Sequence, residues 1–102
     1  MRRSQPAQTH WSLMTGHARV LVCIASDPTI RVIDIARATN LTERSVHSVI
    51  RQLVNDGALD RQRMGRRNMY RVIDEYQPRE FGHANLNLGQ WLVALNADRN
   101  RP

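Results

Sequence analysis

The chain contains no lysine. All 15 of its basic residues are arginine, they outnumber nine acidic residues, and the formal net charge over 102 residues is +6. A GC-rich coding bias is the plainest cause of the missing lysine, but the surplus itself implies a polyanionic partner, most often nucleic acid. Cysteine occurs once, at Cys23, which excludes an intramolecular disulfide and any cysteine-based zinc site. Long apolar runs are missing too. The longest, from Val20 to Ala25, has six residues, whereas a bilayer span needs about 20. No apolar stretch follows Arg2-Arg3 within Ser4–His10, as a secretion signal requires. A reducing, cytoplasmic setting away from membranes is therefore expected. There is no internal repeat and no glycine-rich loop to cradle phosphates, and the acids Asp34, Asp56, Asp60, Asp74 and Glu75 form no evident pair. An enzyme is not expected, nor a cofactor. His10, His17, His47 and His83 are too scattered to suggest a metal site.

What is present is helical periodicity on a chain long enough for one cored domain. Residues 1–10 are polar and include Pro6, which reads as a flexible arm. From Thr15, a suitable cap, Ala18, Leu21, Val22 and Ala25 fall at i, i+3, i+4 and i+7. Val20, Cys23 and Ile24 fill much of the remaining circumference, so this helix is enclosed by neighbours or faces a second subunit. Ser26-Asp27-Pro28 stops it, and Thr29-Ile30 reads as a short extended piece. A second helix covers about 31–39, followed by a tight turn at Asn40-Leu41. The third runs from about Thr42 to Asn55, with Val46, Val49, Ile50, Leu53 and Val54 keeping the helical period, and Gly57 beyond its end supplies the left-handed conformation of a C-cap. Two extended stretches, Ala58–Met64 and Met69–Ile73, are expected to pair around a Gly65-Arg66-Arg67-Asn68 loop, with Leu59, Tyr70 and Val72 inward. After a linker, a last helix covers about 86–97.

Two helices joined by a short turn form the helix-turn-helix unit, whose second helix enters the DNA major groove. The outer side of the Thr42–Asn55 helix suits that role. Opposite its apolar stripe lie Arg44, Ser48, Arg51 and Asn55, flanked by Ser45 and Gln52, with no acid among them. Guanidinium forks can bridge guanine O6 and N7, while small hydroxyls and an amide let the backbone approach. A solvated face ordinarily mixes both charge signs. The hairpin adds Arg61, Arg63, Arg66, Arg67 and Arg71 within eleven residues that hold no acid. Such a cluster repels itself unless a phosphate backbone or a minor groove supplies the counter-charge.

These features together resemble the winged helix-turn-helix of MarR/ArsR-type transcription regulators. The resemblance rests on Ile35-Ala36, Asn40-Leu41-Thr42, the run from Leu53 to Asp56-Gly57, and Gly65-Arg66-Arg67-Asn68 followed by Tyr70; it covers about residues 15–73. It implies an α+β fold, mostly α, with a three-helix core, a β-hairpin wing and a C-terminal dimerisation helix. It also implies recognition residues at Thr42, Arg44, Ser45, Ser48 and Arg51, and wing contacts at Arg63, Arg66 and Arg67. The paired cysteines or His/Asp clusters of the metal-sensing members are missing, which argues against metal sensing.

The expected organisation is an arm (1–10), a winged helix-turn-helix domain (11–74), and a linker with the terminal helix (75–102). Leu88, Trp91, Leu92 and Leu95, at i, i+3, i+4 and i+7, are the expected dimer contact, with Val20 and Ile24 assisting. The expected function is sequence-specific binding of double-stranded DNA by a homodimeric transcription regulator. The alternative is a winged-helix module for protein contact or for RNA and other non-specific nucleic-acid contact, which the fold alone does not exclude. Trp11, Met14 and Trp91 could line a pocket for a small-molecule effector, although core or interface packing is the plainer reading.

Overall fold

A computed structural model of the chain describes residues 14–79 and 86–95. The expected arm, Trp11, His10, His83 and the last residues of the expected terminal helix lie outside the described residues. Six elements follow in order: α1 (Gly16–Ser26), α2 (Val32–Thr39), α3 (Glu43–Asn55), β1 (Leu59–Met64), β2 (Arg67–Val72) and α4 (Leu88–Ala94). This is a winged-helix arrangement of class α+β, with three helices, an antiparallel hairpin and a further short helix.

Local chemistry explains the boundaries. The Thr15 hydroxyl accepts from the Ala18 amide and starts α1. At the end of α2, Asn40 takes the left-handed conformation (φ 60°), which Asn tolerates better than most residues. The chain then turns at once into α3, where the Thr42 hydroxyl accepts from the Ser45 amide at 3.0 Å. The expected extended piece at Thr29-Ile30 is instead a turn. The Asp27 carboxylate accepts from the Thr29 amide and hydroxyl, and the Ile30 amide returns to the Asp27 carbonyl. Its one backbone link to the hairpin runs from the Tyr70 amide to the Pro28 carbonyl, at 2.9 Å.

The hairpin loop is shorter than the sequence suggests. Met64 pairs with Arg67, so Gly65-Arg66 alone makes the turn, while Arg67 and Asn68 belong to β2. Gly65 has φ +63° and Arg66 does not have a positive φ. That is the pattern of a two-residue turn whose twist matches the flanking strands, so Arg67 and Asn68 join the ladder.

The core joins all the elements. Val20, Leu21 and Ile24 of α1 meet Ile35 of α2, Val46, Ile50 and Leu53 of α3, and Leu59, Tyr70 and Val72 of the hairpin. Helix α1 is thus enclosed within its own chain, with Val22 and Cys23 half-buried against the same core.

Helix α4 completes that core instead of presenting its whole stripe outward. Leu88 and Leu92 are buried to 2% and 0% exposure, Trp91 packs against the core, and Leu95 is exposed. Of the expected dimer residues, Leu88 and Leu92, together with Val20 and Ile24, are consumed inside the chain. The cause lies just after β2, where residues 74–76 receive the start of α4. The Leu88 amide donates to the Tyr76 carbonyl at 2.9 Å and the Gly89 amide to the Asp74 carbonyl at 3.0 Å. Asn87 and Gln90 form a capping box, which starts the helix at Leu88 and not at Leu86.

Candidate nucleic-acid interface

Helix α3 buries Val46, Val49, Ile50 and Leu53 and turns its other side to solvent. Arg44, Ser45 and Arg51 are exposed there and Ser48 is half-buried, at the spacing the sequence indicates. The side chains of Arg44 and Arg51 make no hydrogen bond or ion pair with other described residues, so both guanidinium forks are free to engage a ligand. Glu43 is also exposed, in the first turn of α3, where its charge complements the helix dipole.

Two residues of this face have structural duties. The Thr42 hydroxyl caps α3 and donates to Ser45 Oγ at 3.0 Å, so its hydrogen-bonding capacity is largely taken up inside the protein. Gln52, on the flank, is held by α1. His17 Nε2 and the Gln52 side-chain amide are hydrogen-bonded at 2.5 Å, which ties this flank of α3 to α1. Nothing in the local pattern around His17 points to this contact, since its partner lies 35 residues away. His47 is exposed beside the face.

The turn that sets the angle between α2 and α3 is braced from α1. Arg19 Nη1 donates to the Thr39 carbonyl, and the Thr39 hydroxyl donates to the Ile35 carbonyl at 2.7 Å. A cation at the C-terminal end of α2 also satisfies the helix dipole. Sequence periodicity misses Arg19 because it occupies an interval within an apolar helix and its role appears only when α1 crosses the end of α2.

On the hairpin all five arginines are exposed, but they are not equivalent. Arg71 is paired across the strands with Asp60 at 2.5 Å, so an acid just outside the basic run neutralises one of the five. Arg67 Nη1 donates to the Thr29 carbonyl at 3.0 Å, and Arg63 Nε to the Gly65 carbonyl at 2.9 Å. Arg61 and Arg66 have no such partner among the described residues. Of the three expected wing contacts, Arg66 is the one with a fully free fork, at the turn itself.

Around Cys23, burial pushes the thiol above its ordinary pKa of 9.0, partly offset by the nearby Arg19 cation. The thiol therefore stays protonated at neutral pH. Among the described residues no three His, Cys, Asp or Glu side chains come together as a metal site, and no helix is long and apolar enough to cross a membrane.

No curated protein sequence matches the chain significantly. Residues 17–59, less than half of the chain, match a family model described as winged helix-turn-helix DNA-binding. The matched segment runs from the start of α1 through α3 to the first residue of β1 and contains Arg19, the turn and the whole basic face of α3, while the arginines of the hairpin lie beyond it.

Proposed function

We propose that the protein is a transcription regulator that binds double-stranded DNA sequence-specifically, with α3 in the major groove and the hairpin on the adjacent backbone or minor groove. The observation that carries this reading is the solvent face of α3, where Arg44 and Arg51 are exposed beside Ser45 and Ser48 and have no side-chain partner among the described residues. In this assignment Arg44 and Arg51 address base edges, Ser45 and Ser48 allow close approach, and Thr42 holds the helix end that presents them. Arg66 meets phosphate, while Arg63 and Arg67 add charge beside it.

A homodimer would place two such helices about 34 Å apart, one helical turn of DNA. Support for a second copy comes from the outer side of α4, where Val93 and Leu95 are 73% and 41% exposed. Trp91 and Leu95 are the members of the expected contact set not fully buried within the chain. Of the residues expected to line a pocket for a small-molecule effector, Met14 and Trp91 are each half-buried.

The deciding experiment selects bound fragments from random genomic DNA at physiological salt and footprints the enriched ones. A protected palindromic site supports the regulator. Uniform weak binding that vanishes by moderate salt rejects it in favour of a module for non-specific contact.

A further inference from the structure

Between the start of α2 and the hairpin turn lies a cleft of about 300 Å³ whose lining, among the described residues, includes Arg31, Arg66 and Arg67 and no carboxylate. We propose that this cleft is a phosphate site, gripping one backbone phosphate of the duplex with Arg31 and Arg66; the identity of the duplex as its source rests on the reading above. Arg31 belongs to neither the α3 face nor the wing, and only the fold brings it beside residues 35 positions further along the chain.

The walls of the cleft are tied together by the protein itself. Arg67 Nη1 bonds the Thr29 carbonyl at 3.0 Å, and the Tyr70 amide bonds the Pro28 carbonyl at 2.9 Å. Both links join the loop before α2 to β2, so the separation of Arg31 from Arg66 is set before any ligand arrives. Arg67 is thereby a positioning residue. Arg31 and Arg66 are exposed, and neither side chain has a hydrogen bond or ion pair with other described residues. Arginines that line one cleft add their positive potentials, and an anion with several acceptor oxygens is the ligand that planar guanidinium forks are suited to hold.

Nearby acids do not supply the missing charge. Asp34 stands two residues beyond Val32, about 200° around α2 from that lining residue, and pairs with Arg37 at 3.9 Å. The Asp27 carboxylate is occupied by the Thr29 amide and hydroxyl. The first turn of α2 has no side-chain cap, so its amides reinforce the positive potential already set by the arginines.

The test compares Arg31→Ala, Arg66→Ala and Arg31→Lys with Arg37→Ala, a charge removed from α2 away from the cleft. Each is titrated with a bound fragment and with an unrelated duplex between 50 and 200 mM salt. Loss of one phosphate contact lowers the salt slope by about one, so affinity should fall about 3.5-fold less across that range for Arg31→Ala and for Arg66→Ala, on both duplexes alike. Arg31→Lys should recover most of the slope, and Arg37→Ala should leave it near wild type. If Arg31→Ala matches Arg37→Ala, the backbone contact is refuted while the α3 assignment stands. If the wild-type protein binds no duplex, the functional reading falls and inorganic phosphate decides the cleft. Saturating amide shifts confined to 29–32 and 66–68 in a nuclear magnetic resonance titration, lost in Arg31→Ala, would support a phosphate site for a smaller ligand. Shifts spread evenly over the arginines, or none, would overturn it.

Discussion

Arg44 and Arg66 are the same residue type and both are exposed, yet their settings lead to different expectations. Arg44→Ala should cost about 1–3 kcal/mol of binding and relax preference at one base position, measured against a panel of single-base operator variants. Arg66→Ala should weaken every duplex equally. Gly89 shows how small a residue-scale constraint can be: a Cβ there would sit 2.9 Å from Asp74 Cβ. Gly89→Ala should therefore destabilise the fold by about 1–3 kcal/mol, because the close approach of α4 to residues 74–76 cannot relax without losing its hydrogen bonds. Thermal melts of the two proteins would show it as a lowered midpoint, and an unchanged midpoint would mean that this junction is slack. At Cys23 the raised thiol pKa means that the folded state favours the protonated form. The stability this contributes is complete below the ordinary value of 9.0 and is lost as pH rises beyond it. A thiol reagent at pH 7 should accordingly label the native protein much more slowly than the urea-unfolded chain.

Elements succeed or fail by their ends. The apolar spacing of α3 places its buried and exposed faces correctly without any tertiary information, because a period of 3.6 residues maps directly onto faces of a helix. Its entry is a local matter as well. Thr42→Ala removes the cap at Ser45 and should cost about 1 kcal/mol of stability, with Thr42→Ser close to neutral; equal melting of all three proteins would show that the cap is dispensable. Asn40 and Gly57 mark helix ends through residue types that accept positive φ. The hairpin turn is less constrained by its sequence. A Gly-Arg-Arg-Asn string is compatible with a loop of four residues or two, and strand twist favours the tighter turn that gives Arg67 and Asn68 to β2. Thr29-Ile30 reads as extended, but an acidic side chain two residues upstream closes it into a turn. Such competition between a side chain and the backbone ladder leaves little trace in hydrophobic patterning.

Across the whole molecule, the most consequential difference concerns α4. Its stripe of Leu88, Trp91, Leu92 and Leu95 has the look of a surface seeking another chain, and half of it is taken by this one. Leu92→Ala should destabilise the folded chain by about 2–5 kcal/mol, since it empties a fully buried site. Val93→Ser and Leu95→Ser should leave the melting point nearly unchanged and, if α4 joins two copies, convert a dimer to a monomer by light scattering. A periodic stripe shows that a helix has an apolar side but carries no information about whose apolar side meets it. The charge surplus, the amphipathic α3 with its acid-free outer half and the residues that begin and end the helices are all properties of neighbours within a few positions, and the linear chain suffices for them. Partnerships across long separations are of another kind: Arg19 with Thr39, His17 with Gln52, Arg67 with Thr29, and Arg31 beside Arg66. They depend on how helices and hairpin pack around Val20, Ile35 and Leu59, because a side chain meets a distant carbonyl or cation only where a shared core brings their elements together.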